Sequence, residues 1–189
     1  MDNLVILVPT FVCVLVVFLY YEQNYAELTY VTSKIDNIPY LVRNRPDKEK
    51  AADIFAVLNT KITKLIRHLT AHNAAPRLSK RYDVRRISES LPTSKYTSYS
   101  VNKGQKIVFC IRSKNNPNEF VDINTLFFVV AHELAHLETK STGHTKEFWD
   151  NMRLLLKAAI KIGIWNEHNY RELPVKYCGI EITDTPLNN

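Results

Sequence analysis

Residues 131–149 read AHELAHLETKSTGHTKEFW, a stretch that holds His132, Glu133, His136 and His144. Residues four apart on a helix lie one turn above each other on the same face. His132 and His136 can therefore address one metal ion, while Glu133 is rotated enough to reach a water on that metal rather than the metal itself. His144 follows eight residues after His136, directly behind Gly143. Glycine permits the backbone reversal that would bring a third imidazole back to the first two. Three protein ligands with a fourth position open is the arrangement of a catalytic zinc site. Glu133 then stands where a zinc hydrolase keeps its general base. A structural zinc site would fill the fourth position with Cys or His, and no cysteine lies near the motif in sequence.

The run HELAHLETKSTGHTKEFW resembles the SprT-like and WLM-type zinc metallopeptidases. In these, HExxH is followed by a short connector and a His that opens the next helix, ahead of an aromatic pair such as Phe148-Trp149. From about Tyr96 to Leu156, roughly a third of the chain, the sequence looks most like WLM-type proteins of large DNA viruses. The resemblance implies an α+β zincin-like fold, with a small antiparallel sheet and an active-site helix pair. It implies hydrolysis of peptide bonds in protein substrates, with His132, His136 and His144 as zinc ligands and Glu133 as the base. Thr139 and Thr142 stand where the longer metzincin pattern has its Gly and third His. The cysteine-rich module often appended to SprT-like proteins is absent from this sequence.

The chain has 189 residues and a net charge of +6, enough length for one domain with its own core. The charge suits an anionic surface without demanding one. Residues 4–21, LVILVPTFVCVLVVFLYY, carry no charge. As a helix this run would span about 27 Å, close to a hydrocarbon core of roughly 30 Å. The n-region is Met-Asp-Asn and the run ends in bulky residues, unlike a cleavable signal peptide. The sequence thus predicts a single-pass membrane anchor over 1–22, a linker over 23–45 that includes a short strand at Tyr40–Val42, and a catalytic domain over 46–189. Outside the anchor only Cys110 and Cys178 remain, and no Asn-x-Ser/Thr sequon occurs. Two cysteines do not suggest a disulfide framework, so the catalytic domain is expected to face the cytosol.

Pro46 opens a helical pattern in which Ile54, Phe55, Leu58, Ile62, Leu65, Ile66 and Leu69 share one face. On that helix His68 and His72 are also four apart, but Leu69 stands where a general base would be. They read as flank histidines. Arg77 to Arg86 holds five basic residues and one Asp, a candidate contact for anionic lipid or nucleic acid. Tyr96–Val101 and Lys106–Arg112 read as a hairpin turning at Asn102–Gln105. The second strand has two apolar faces, as an interior strand would. The zincin resemblance instead suggests that Ile107–Ile111 lies at the cleft edge and pairs with substrate. Asp122 is a suitable N-cap for the metal helix. Phe148, Trp149, Met152, Leu155, Leu156, Ala159 and Ile160 stripe a following helix that should stop at Gly163.

A zincin also needs a donor for the oxyanion. His168, Tyr170, Arg171 and Tyr177 are the tail candidates, and similarity of Tyr177-Cys178-Gly179 to a tail element of the viral relatives selects Tyr177. The sequence therefore reads as a membrane-anchored zinc metallopeptidase. The alternatives are a SprT-like protease acting on DNA-bound proteins, or a catalytically idle zinc-stabilised membrane adaptor.

Overall fold

The computed structural model of the chain describes residues 9, 11–20, 27–114 and 116–188. Its two long amphipathic helices follow the apolar spacing of the sequence. Helix α1, Lys48–Ala71, buries Phe55, Leu58, Ile62, Leu65 and Leu69 along one face. A short helix α2, Pro76–Arg81, follows it. Helix α3, Ile123–Glu138, carries the metal motif and is capped by Asp122, whose carboxylate accepts from the N–H groups of Asn124 and Thr125. Leu126, Phe127, Val130, Leu134 and Leu137 of α3 have no exposed surface, each contributing about 2 kcal/mol of apolar burial. Helix α4, Lys146–Lys161, is capped by Thr145 and turned out at Gly163, whose φ is +68°.

The sheet has five strands: β1 (Leu28–Thr32), β2 (Pro39–Arg43), β3 (Ile87–Glu89), β4 (Tyr99–Val101) and β5 (Lys106–Phe109). They lie in the order β1-β2-β3-β5-β4. The outer pairs β1–β2 and β4–β5 are antiparallel, whereas β2–β3 and β3–β5 run parallel. The α+β class holds, but the sheet is mixed rather than antiparallel, because the α1 crossover returns the chain beside β2 in the same direction. Helix α1 packs on β1 and β2, α3 packs against β4, and α3 and α4 pack on each other. A separate hairpin, β6 (Val175–Tyr177) and β7 (Ile180–Ile182), closes the chain.

A buried charge cluster fixes the middle of the sheet. Glu89 is 2% exposed, and its carboxylate accepts from the Arg43 N–H at 2.8 Å and from Arg112 Nε at 2.6 Å. Arg112, itself buried, also pairs with Asp47 at the start of α1. Opposite charges and hydrogen bonds are what make burial of these groups tolerable.

Three expectations are corrected. The segment 23–45 is more than a linker: the short strand expected at Tyr40–Val42 is β2, and β1, which was not expected, pairs with it. Among the described residues no helix is long and apolar enough to cross a membrane. The described helical residues 11–20 account for about 15 Å, half the thickness of a hydrocarbon core. The remainder of the expected 4–21 anchor lies outside the described residues. The single-pass reading, with its cytosol-facing domain, is withdrawn. Finally, Cys110 and Cys178 form a disulfide across 68 residues of sequence, where no disulfide was expected.

That bond should matter to stability. Closing a loop of this length removes about 4 kcal/mol of chain entropy from the unfolded state. Urea unfolding of Cys110→Ser/Cys178→Ser is expected to show a loss of that order. Equal stability of the variant and the oxidised wild type would contradict the pairing.

Candidate metal centre

Helical period alone brings His132 and His136 together on α3, with ring centroids 5.0 Å apart. The connector 139–145 must then return the third imidazole. Thr139 stops α3, donating through Oγ1 to the Ala135 carbonyl and accepting from Asn151 of α4. Glu147, in the first turn of α4, accepts from the N–H groups of Lys140 and Ser141 and from Ser141 Oγ. These bonds hold its carboxyl below the usual range. Gly143 has φ +80° and open space around it, so the bend there is a matter of backbone conformation rather than crowding. His144 then lies 4.8 Å from His132 and 5.0 Å from His136, centroid to centroid. The Phe148 ring packs against all three imidazoles, and Trp149 lies against His144.

The three residues offer ring nitrogens that all lie within 4.8 Å of one another, with His132 Nε2 and His144 Nε2 3.0 Å apart. Two ligands bound at about 2.0–2.1 Å to one tetrahedral zinc sit roughly 3.3 Å apart; the His132–His144 pair is near that spacing, and three imidazoles are the donor chemistry such an ion takes. Burial and the neighbouring imidazoles push His132 down to about 3. Burial and His144 likewise push His136 down to about 4. Both are therefore neutral at pH 7, the form that donates a lone pair to a metal.

Glu133 is 4% exposed, and burial pushes its carboxyl up to about 7, opposed by hydrogen bonds from the Ser100 side chain and backbone. It shares a cleft of about 520 Å³ with the three histidines, bounded by Ser98, Tyr99 and Ser100 on the β4 side and by Thr142 and Gly143 of the connector. A larger hollow of about 820 Å³ runs between residues 113–122 and the β6–β7 hairpin. Among the described residues the one group of three or more metal-ligating side chains is His132, His136 and His144, so chemistry selects the smaller cleft.

The other end of α3 is equally fastened. Glu138 is buried and accepts from the N–H groups of Arg77 and Leu78, while Arg77 and Arg81 donate to the carbonyls of Glu138 and Leu137. Two cations of the basic segment thus complete the C-terminus of the metal helix, where carbonyls lack helical partners. Arg85 and Arg86 pair with Asp83. Gly104, in the β4–β5 turn, meets the same helix end. A Cβ there would stand 3.1 Å from the Leu137 side chain and 3.2 Å from the Arg81 carbonyl.

The tail candidates do not reach the cleft. Tyr170 packs against Phe128, His168 bonds the Leu173 carbonyl, and Arg171 pairs with Asp184. Tyr177 is 1% exposed, does not line the cleft, and its hydroxyl donates to the Cys110 carbonyl beside Ser98 Oγ. It is tied up there rather than pointing into the cleft as an oxyanion donor. The expected edge strand is also displaced: Ile107–Phe109 lies between β3 and β4, and the outer strand beside the site is β4. His68 and His72 stack on each other at the end of α1, where His72 Nδ1 meets the His68 carbonyl. Sequence reasoning missed Ser98, Ser100 and Glu147. A serine in a strand and a glutamate in a first helical turn carry no signal of their own.

The WLM domain matches residues 33–172. An uncharacterized protein of Acanthamoeba polyphaga mimivirus is 33% identical over 182 residues, 92% of each chain. One of Invertebrate iridescent virus 6 is 37% identical over 71 residues, 37% of this chain and 39% of that one. Among solved structures, Wss1 from Saccharomyces cerevisiae has a TM-score of 0.52 at 20% identity, over 65% of this chain and 87% of that one. That likeness speaks to the fold. With a domain match across most of its length and a viral relative of nearly full coverage, the chain belongs to the WLM family of zinc-dependent proteases, in the form carried by large DNA viruses.

Proposed function

We propose that the protein is a zinc-dependent peptidase that hydrolyses peptide bonds in protein substrates, with His132, His136 and His144 as ligands and Glu133 as general base. The observation that carries this reading is the convergence of three imidazoles beside one buried, otherwise metal-free carboxyl group in an open cleft. Zinc bound there supplies a Lewis acid that polarises a carbonyl and acidifies a water.

The remaining work belongs to this chain's side chains. Ser100 faces Glu133 in the cleft and favours its ionised form; the carboxylate takes a proton from the attacking water and passes it to the leaving nitrogen. Desolvation suits the residue to both halves of that exchange, because a base working near neutral pH must also give the proton up. Strand β4 ends the sheet, and a sheet edge of this kind can pair with an extended peptide through main-chain hydrogen bonds. Tyr99 and Ser100 line the cleft at that edge, which would lay the substrate across the histidines. Commitment of Arg77 and Arg81 to α3 supports a structural role for the basic segment over contact with lipid or nucleic acid.

Three measurements test the proposal. Glu133→Gln keeps shape but cannot accept a proton at neutral pH. It should bind zinc like wild type and lose about 10²–10⁴-fold in cleavage of an unfolded protein. Undiminished activity would sink the mechanism. His144→Ala should lose most of its zinc on metal analysis, and full retention would remove His144 from the ligand set.

The pH dependence of stability is the third. In metal-free protein the folded-state Glu133 value, about 7, lies above the ordinary 4.5. Its contribution is therefore fully present below 4.5 and lost as pH rises through 7. Glu133→Gln removes that titration, so chelated variant should exceed chelated wild type by on the order of 3 kcal/mol at pH 8. The gap should close by pH 4.5. A gap independent of pH in urea unfolding would contradict the buried, uncompensated carboxyl group.

A further inference from the structure

The β4–β5 ladder ends at the pair Tyr99 and Val108. Beyond it, the backbone of Cys110 is met by side chains instead of by a strand. Its N–H donates to Ser98 Oγ at 3.0 Å, and its carbonyl accepts from the Tyr177 hydroxyl at 2.8 Å. Ser98 Oγ and the Tyr177 hydroxyl are 2.6 Å apart. Tyr177 has one proton, already given to the carbonyl, so Ser98 must donate to Tyr177. The three hydrogen bonds form a closed ring in which every donor and acceptor is assigned.

The ring sits in a fastened corner. Cys178, next in sequence to Tyr177, is bonded to Cys110, and Cys110, Tyr177 and Cys178 are each at most 5% exposed. Ser98, in the bend before β4, and Ser100, within β4, both face the metal cleft. Ser98, Ser100 and Glu133 line the same cleft, and there Ser100 is the polar neighbour that favours the ionised form of the Glu133 carboxyl. A continuous line of contacts thus runs from the β6–β7 hairpin through Ser98 to the general base.

We infer that Tyr177 is a positioning residue: acting through Ser98, its hydroxyl holds the β4 edge where Ser100 can orient Glu133. This deepens the peptidase reading and its activity arm rests on it. The C-terminal hairpin, outside the metal motif, is then part of what makes the edge strand competent.

The test is a double-mutant cycle with an independent structural readout. Tyr177→Phe removes one oxygen and leaves the ring packed. It should lower kcat for a peptide substrate about 10–100-fold, the range for outer partners of a metal site, with zinc content unchanged. Amide exchange of the backbone at 98–101 should quicken by about tenfold or more, while α1 keeps its protection. In a Ser100→Ala background the same substitution should change kcat several-fold less than in wild type, because the hydroxyl part of the contact it serves is already gone and only the backbone part remains. Ser98→Ala breaks the line from the other side and should reproduce both effects, which covers a Tyr177 variant that fails to fold. Effects of Tyr177→Phe and Ser100→Ala that multiply would overturn the inference, as would unchanged exchange at 98–101 whatever the activity. Should wild type cleave nothing, the peptidase reading fails alone, and quickened exchange confined to 98–101 still upholds the clamp.

Discussion

Three imidazole nitrogens must come within one coordination shell, and only two of them share a helix. That constraint explains why so much of the chain is spent on holding α3 and α4 in fixed relation. The periodicity of α3 sets His132 over His136 without help. His144 reaches them only because Thr139 ends the helix, Asn151 ties that end to α4, and Glu147 gathers the connector amides. Phe148 then serves as a floor against which all three rings rest. A helix held this way is a rigid support, and rigid supports hold ligand geometry better than loops do.

The carboxyl beside the metal site follows a second constraint. Burial makes Glu133 reluctant to ionise, and a metal cation nearby would reverse that preference. In the absence of metal the site is a local conflict inside a well-packed helix, the kind of conflict that functional sites retain at some cost to stability. The Ser100 bonds moderate it from the strand side. Arg77 and Arg81 secure the opposite end of α3, so the helix is anchored at the cap, along its apolar circumference and at its last carbonyls.

What the sequence disclosed and what it concealed divide along the same physical line. Local signals were legible: the i, i+4 histidines, the Asp122 cap, the Gly143 bend and the apolar stripes of α1 and α4. Contacts between distant segments were not. Ile87–Glu89 is too short to show a period, yet it joins β2 to β5. Leu28–Thr32 is a half-buried strand in a polar stretch that resembled a linker, whereas its partner strand was legible at Tyr40–Val42. Cys110 and Cys178 are 68 residues apart, and a lone pair of cysteines does not declare its partnership. The two apolar faces of KIVFCIR correctly marked an interior strand, and the similarity to zincins misplaced it at the edge. Tyr177 was chosen by similarity as an oxyanion donor, and its phenol is committed to the Cys110 carbonyl.

The central claim is that His132, His136 and His144 jointly hold one zinc with a position left open. Zinc K-edge X-ray absorption on the purified, zinc-loaded chain tests this most directly. The account predicts one zinc per chain, three imidazole nitrogens at about 2.0–2.1 Å and one further oxygen. A spectrum dominated by sulfur scattering, or one unchanged when His132 and His136 are both replaced by alanine, would contradict it.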